Sequence, residues 1–102
     1  MVDNAKKKVL WTKNAENSLE NIYKEIQANS PQNAALVKRT ILEKTQKLSL
    51  FPNQYPTDRF RKNNSGSIRA FETHSHRIVY RVDEKAVVIL RVRYAGKEPE
   101  FI

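Results

Sequence analysis

The sequence predicts an α+β domain in which a helical hairpin packs on one face of a small, mainly antiparallel sheet. Two amphipathic helical patterns follow each other between residues 12 and 50. Three runs rich in β-branched and aromatic residues come later, SIRAFET, RIVYRV and AVVILRVRY, with short polar segments between them, as in a β-meander. Neither helix alone can bury the apolar stripe of the other, so the sheet is the third surface that covers both.

The composition indicates a single domain, which we assign to residues 1–102. A chain of 102 residues suits one hydrophobic core. It has no cysteine, which excludes a disulfide framework, a thiolate zinc site and a cysteine nucleophile. No apolar run approaches the roughly 20 residues of a membrane helix, and the N-terminus lacks the apolar core of a signal peptide. We therefore expect a soluble, cytoplasmic protein with no membrane partner, and we expect no metal and no cofactor.

The charge balance suggests the kind of partner. The chain carries 19 basic and 11 acidic residues, a net charge of +8. Such an excess favours nucleic acid, the ribosome or an acidic protein as partner.

The N-terminal half predicts one short strand and two helices. Residues 9–11 form the strand, and Thr12 caps a first helix that stops near Asn29. Ser30 and Pro31 are a helix cap and a first helical residue, so a second helix begins almost at once and ends before Phe51. The predicted apolar stripes are Ala15, Leu19, Ile22, Tyr23 and Ile26 in the first helix, and Ala34, Val37, Ile41, Thr45 and Leu48 in the second.

Residues 52–66 predict a long irregular loop, since they contain two prolines, three asparagines and a glycine. Two interpretations remain open. Arg59 and Arg61, interleaved with Tyr55 and Phe60, are typical of a surface that meets RNA bases and phosphates. Alternatively, the two aromatic rings pack against the edge of the core.

Arginines occupy the interiors of the predicted strands. A guanidinium is always charged, so each must reach solvent, a carboxylate or an external anion. Because acidic residues are scarce, the sheet is predicted to be a binding surface. The five residues are Arg69, Arg77, Arg81, Arg91 and Arg93.

The turn after the second run of the meander predicts which side chains share a face of the sheet. If Val82 lies opposite Val87, the apolar face that meets the helices contains Ile78, Tyr80, Val82, Val87 and Ile89. Arg77 and Arg81 then lie on the outer face, turned away from the helices. Val88, Leu90 and Val92 are expected to be exposed beside them, as in a surface that a partner covers.

The order β-α-α-β-β-β, together with RAF at 69–71, HRIVYRV at 76–82 and VVILRVRYAGKEP at 87–99, resembles the RelE/ParE superfamily of bacterial toxins, also called the plasmid stabilisation family. The first helix, WTKNAENSLENIYKEI, and the segment KLSLFPNQYP are similar to that family too. The resemblance covers nearly the whole chain. It implies a RelE/ParE-like fold and a type II toxin that inhibits growth until its cognate antitoxin binds it in a hetero-oligomer.

The superfamily implies two targets, since ParE-like members inhibit DNA gyrase while RelE-like members cut messenger RNA on the ribosome. In RelE-like enzymes a strand arginine that matches Arg77 supports the scissile phosphate, and Arg69 matches a basic position one strand earlier. Tyr94 stands where many relatives carry histidine, and a tyrosine with a pKa of about 10 is a poor base. The lysine pair expected beside Arg69 is missing. The prediction is therefore a ParE-like gyrase inhibitor, with an mRNA endoribonuclease as the alternative and a non-toxic basic binding module as the second alternative.

The remaining candidates are binding residues. His76 is a natural acid or base beside Arg77, although the favoured interpretation of the pair His74 and His76 is a polar hairpin surface. Two histidines alone are too few for a metal site. The candidate binding set is Arg81, Arg91, Arg93, His76, Lys97, Arg59 and Arg61.

Overall fold

The computed structural model describes residues 6–58 and 66–95. The predicted binding residues Arg59, Arg61 and Lys97 lie outside the described residues. The elements are β1 (Lys8–Trp11), α1 (Lys13–Gln27), α2 (Pro31–Lys47), β2 (Ile68–Thr73), β3 (His76–Val82) and β4 (Ala86–Tyr94). The predicted α+β class and the order β-α-α-β-β-β are confirmed.

Both predicted helix starts are confirmed by their caps. The Thr12 hydroxyl oxygen accepts a hydrogen bond from the Ala15 N–H at 3.0 Å, and the Ser30 hydroxyl oxygen accepts one from the Asn33 N–H at 3.2 Å. Each cap satisfies a donor that the first turn of a helix leaves without an intrahelical partner. Only residues 28–30 separate the helices, which forces α1 and α2 into an antiparallel pair.

The two helical stripes and the inner face of the sheet form one core. Ala15, Leu19 and Ile22 of α1 are buried, as are Ala34, Val37, Ile41 and Thr45 of α2. The Thr45 hydroxyl donates to the Ile41 carbonyl of its own helix at 2.9 Å, so a polar group fits in an apolar stripe. From the sheet, the core receives Phe71, Ile78, Tyr80, Val87, Ile89 and Val92.

The four strands have the order β1-β4-β3-β2. The meander β2-β3-β4 is antiparallel, whereas β1 pairs parallel to β4. Val82 lies opposite Val87, as the sequence predicted. The β2–β3 hairpin turns on His74 and Ser75, whose φ angles of 50° and 64° suit a tight two-residue turn.

A β-bulge in β4 corrects one prediction. Tyr80 pairs with Ile89, but Val79 pairs with Arg91, so Leu90 is an extra residue in the ladder. One extra residue reverses the alternation of the side chains beyond it. Val92 therefore pairs with Ile78 and is only 2% exposed in the core. The prediction that Val92 is exposed on the outer face is wrong.

Candidate functional site

The strand arginines lie on both faces of the sheet. All five occupy strands, as predicted: Arg69 in β2, Arg77 and Arg81 in β3, and Arg91 and Arg93 in β4. Arg69 pairs with the core residue Tyr80, so it shares the face turned towards the helices. The other four lie on the outer face, since Arg77 pairs with Arg93 and Arg81 alternates with the core residue Tyr80.

Arg77 is buried in an ion-pair cluster, so of the three partners expected for a strand arginine it reaches carboxylates and is not exposed on the outer face. Its side chain is 8% exposed. Its Nη2 donates to Asp58 Oδ1 at 2.7 Å, and its Nη1 donates to Glu72 Oε2 at 3.2 Å. Asp58 is itself buried. The guanidinium charge is thus compensated within the chain.

Residues 52–58 are here called the covering segment, and Asp58 reaches Arg77 because the last three of them pair with β2. The Asp58 N–H donates to the Ile68 carbonyl at 2.9 Å, and the Ala70 N–H donates to the Pro56 carbonyl at 3.2 Å. Thr57 forms an isolated bridge with Arg69. The covering segment therefore extends the sheet at its β2 edge.

Side chains hold the other end of the covering segment. The Tyr80 hydroxyl donates to the Pro52 carbonyl at 2.8 Å, and burial raises the pKa of this phenol. The Tyr55 ring stacks on Phe71 with the ring centroids 4.3 Å apart. Of the two interpretations of the loop, packing of Tyr55 against the edge of the core is thus confirmed, while Phe60 lies outside the described residues.

Arg69 also forms a hydrogen bond with the covering segment. Its Nη1 donates to the Tyr55 carbonyl at 2.6 Å. Its Nε is buried and has no hydrogen-bond partner among residues 6–58 and 66–95. The guanidinium is therefore committed to the loop on the helix side of the sheet, away from Arg77.

The outer face near β1 carries exposed cations and apolar side chains together. Arg81 holds Asp83 with two hydrogen bonds of 2.9 and 3.1 Å. These bonds raise the pKa of Arg81 and lower the pKa of Asp83. Arg91 is exposed and Arg93 half-buried, and the neighbouring Leu10 is 49% exposed. We call the following residues the basic outer patch: Lys8, Leu10, Arg81, Val88, Leu90, Arg91 and Arg93.

His76 is not a surface residue, contrary to the favoured interpretation. It is 7% exposed, and its Nδ1–H donates to the His74 carbonyl at 2.8 Å. It pairs with Tyr94 across β3 and β4, where the two rings meet edge to face with centroids 5.7 Å apart. Tyr94 is 65% exposed.

The candidate catalytic residues do not assemble into one site. His76 and Tyr94 lie together at one end of the sheet on the helix side. Arg69 is on the same side but pairs with Tyr80, four residues along β3 from His76, a distance of about 13 Å along a strand. Arg77 is on the opposite face. Within residues 6–58 and 66–95 no three histidine, cysteine or carboxylate side chains lie together as a metal site requires.

A family model described as the ParE toxin of a type II toxin-antitoxin system, parDE, matches residues 9–99. The chain belongs to the ParE toxin family. It is thus a toxin of a type II toxin-antitoxin system, as its resemblance to the RelE/ParE superfamily implied.

Solved structures share the fold of this ParE-family toxin. It is similar to a chain of the chromosomal ParDE system from P. aeruginosa, with 24% identity and a TM-score of 0.69 over 87% of this chain and 96% of that one. It is similar to a chain of the RelBE2 toxin-antitoxin complex from Mycobacterium tuberculosis, with 23% identity and a TM-score of 0.59 over 88% and 99%. It is also similar to a chain of the YoeB dimer from Staphylococcus aureus, with 20% identity and a TM-score of 0.57 over 88% of this chain and 98% of that one. A comparison with curated proteins gives no match.

Sequence reasoning missed the two carboxylates that neutralise Arg77 in this ParE-family toxin. Glu72 lies directly opposite Arg77 across the β2–β3 hairpin, and a two-residue turn at His74 and Ser75 would have predicted that pairing. Asp58 lies 19 residues before Arg77 in an irregular segment, and no periodicity in the sequence predicts its position. In the described part of the chain no helix is both long and apolar enough to cross a membrane.

Proposed function

We propose that this ParE-family toxin stops growth by binding DNA gyrase and does not itself cleave messenger RNA. The observation that carries the proposal is the buried cluster of Arg77 with Asp58 and Glu72, because Arg77 is the arginine that a RelE-like ribonuclease would need for the scissile phosphate. A guanidinium that already holds a buried carboxylate at 2.7 Å must break this pair before it binds a phosphate. Separating a buried ion pair is costly, about 3–5 kcal/mol where one partner is removed.

The separation of the other candidates supports the same conclusion. Cleavage at a ribose 2′-hydroxyl requires a base, a stabilised phosphate and an acid around one reacting centre. Tyr94 and His76 lie on the other side of the sheet from Arg77, and Arg69 is held by the Tyr55 carbonyl. Inhibition by binding needs none of this geometry.

We further propose that the basic outer patch receives the cognate antitoxin. The patch combines cations with partly exposed leucines, and this combination fits an antitoxin segment with acidic and apolar side chains. The RelBE2 neighbour is described as a toxin-antitoxin complex, which supports an antitoxin as partner for this chain.

The deciding experiment is a supercoiling assay with relaxed plasmid, purified gyrase and the purified toxin. We expect inhibition that rises with toxin concentration and disappears when the cognate antitoxin is added first. Primer extension on a translated messenger, run in parallel, should give no new 5′ ends. Ribosome-dependent 5′ ends with undisturbed supercoiling would overturn the proposal in favour of the ribonuclease, and a toxin inactive in both assays would favour the binding module.

The antitoxin surface is tested with a charge reversal. Arg91→Glu should weaken the toxin-antitoxin complex about tenfold or more, since a rim cation becomes a repelling anion. Arg39→Glu is the matched control, because Arg39 is exposed on α2 and lies outside the patch. Equal losses for both variants would mean that net charge alone attracts the antitoxin.

A further inference from the structure

A pocket of about 350 Å³ lies where the helical hairpin turns over one end of the sheet. Ile22 and Ile26 of α1 form its apolar wall, and Glu25 and Asn33 contribute polar groups from the two helices. His76 and Tyr94 line it from the sheet. No part of the proposed gyrase or antitoxin function uses this pocket.

The histidine in this pocket has a spare hydrogen-bonding atom. His76 is 93% buried, and its Nδ1–H is held by the His74 carbonyl at 2.8 Å. A neutral imidazole protonated at Nδ1 has an unprotonated Nε2, which is an acceptor. Among the described residues no hydrogen-bond partner occupies Nε2. The pocket therefore contains an acceptor that is suited to an external N–H donor.

The charge of the pocket favours a cationic ligand over an anionic one. Glu25 is the charged side chain that lines it, and it forms no salt bridge with another described residue. The start of α2 offers little to an anion, because Ser30 already accepts from the Asn33 N–H and Pro31 has no N–H.

We propose that this pocket binds a guanidinium or primary ammonium group carried on an apolar stem. The stem packs on Ile22 and Ile26, the cation pairs with Glu25, and one N–H donates to Nε2 of His76. The Tyr94 ring at the rim adds a cation–π contact. The group comes either from an arginine or lysine side chain of a partner protein or from a free small amine.

The test is an NMR titration of the full-length, ¹⁵N-labelled toxin made in a cell-free system. N-acetylarginine methylamide represents a protein side chain, agmatine represents a free amine, and propionate is the anionic control. We expect saturable shifts of the His76 ring ¹⁵N signal and of the Glu25 and Asn33 amides with the two cations but not with propionate. Tighter binding of one cation identifies the source.

Matched variants make the result specific. Glu25→Gln should weaken binding of both cations about tenfold or more, because a charge-assisted hydrogen bond is lost. Glu20→Gln removes an exposed carboxylate of α1 outside the pocket and should leave binding unchanged. His76→Phe keeps the ring contact with Tyr94 and should abolish the contribution of Nε2. Absence of saturation in the unaltered toxin, or equal affinity in Glu25→Gln and Glu20→Gln, would overturn the proposal.

Discussion

The two edges of the sheet differ in whether another segment of the chain pairs with them. At the β2 edge the covering segment pairs with the strand, and its Asp58 closes over Arg77. At the β1 edge, in the part of the chain that the structure describes, no strand pairs with β1 on the side away from β4. The Leu10 side chain there is 49% exposed. The β2 edge is thus extended by the chain itself, whereas no strand among the described residues extends the β1 edge.

Arginines on the two inner strands have different surroundings. Arg77 and Arg93 are direct neighbours across β3 and β4, yet Arg77 is buried against two carboxylates while Arg93 is half-buried. The difference arises from the covering segment, which brings Asp58 over one of them only. An arginine in a strand is therefore a structural or a binding residue according to what the neighbouring loop supplies.

The largest predicted loss of stability comes from removing the Asp58 carboxylate at the β2 edge. Asp58→Ala removes a buried carboxylate partner of Arg77, while the half-exposed Glu72 remains. We expect the free energy of unfolding to fall by about 3 kcal/mol, because a buried charge that loses a buried partner is costly. Urea denaturation followed by the fluorescence of Trp11 measures the change.

The control for this variant is Glu72→Ala. The Glu72 side chain is 50% exposed, so its loss should cost about 1 kcal/mol or less. Equal destabilisation by both variants would show that Asp58 has no special role in closing the edge. The double variant Arg77→Met with Asp58→Leu should recover much of the lost stability, since an apolar pair can replace a buried ion pair.

The sequence predicted the helices and the core better than the β2 edge. Helix caps at Thr12 and Ser30 and the apolar stripes are local patterns, so their residues and their burial could be predicted from spacing alone. The covering segment has no such period, and its position depends on Asp58, Tyr55 and Tyr80 meeting across the fold. The burial of Val92 was mispredicted for a related reason, because a bulge at Leu90 adds a residue that alternation cannot anticipate.

A smaller effect is expected where the covering segment begins. Tyr80→Phe removes the hydroxyl that donates to the Pro52 carbonyl, and it should cost about 1 kcal/mol at pH 7. The pKa of Tyr80 is raised in the folded state, so the stabilisation is fully present below about pH 10 and is lost as the pH rises through that raised pKa. The difference in the free energy of unfolding between Tyr80→Phe and the unaltered chain should therefore become smaller at alkaline pH.

Urea denaturation at pH 7 and pH 10.5 tests both parts of this prediction. Tyr94→Phe serves as the control. Tyr94 is 65% exposed, so its substitution should change the free energy of unfolding little at either pH. If Tyr80→Phe lowers the free energy of unfolding by the same amount at both pH values, the Tyr80 hydroxyl does not supply the pH-dependent stabilisation.

At the β1 edge, substitution should affect binding rather than folding. Leu10→Thr keeps the β-propensity of the strand but removes apolar surface from the basic outer patch. We expect the free energy of unfolding to change by about 0.5 kcal/mol or less, while the complex with the cognate antitoxin weakens about tenfold. Titration calorimetry measures the affinity, with Leu36→Gln on α2 as the control. A loss of stability without a loss of affinity would mean that Leu10 serves the fold.

The smallest effect is expected at the exposed ion pair of Arg81 and Asp83, whose side chains are 42% and 41% exposed. The pKa of Asp83 is lowered by the hydrogen bond from Arg81, so any stabilisation is present above the usual pKa of about 3.9 and is lost as the pH falls through the lowered value. Asp83→Asn should therefore lower the midpoint of thermal unfolding slightly at pH 7 and low salt, and not at all at pH 2.

Salt separates this exposed pair from the buried one. High salt should abolish the effect of Asp83→Asn at pH 7, because exposed charges are screened, while the loss caused by Asp58→Ala should persist. Thermal unfolding at low and high salt compares the two variants directly. If the effect of Asp58→Ala also vanished in salt, Arg77 would have to be accessible to solvent ions, and the β2 edge would be as open as the β1 edge.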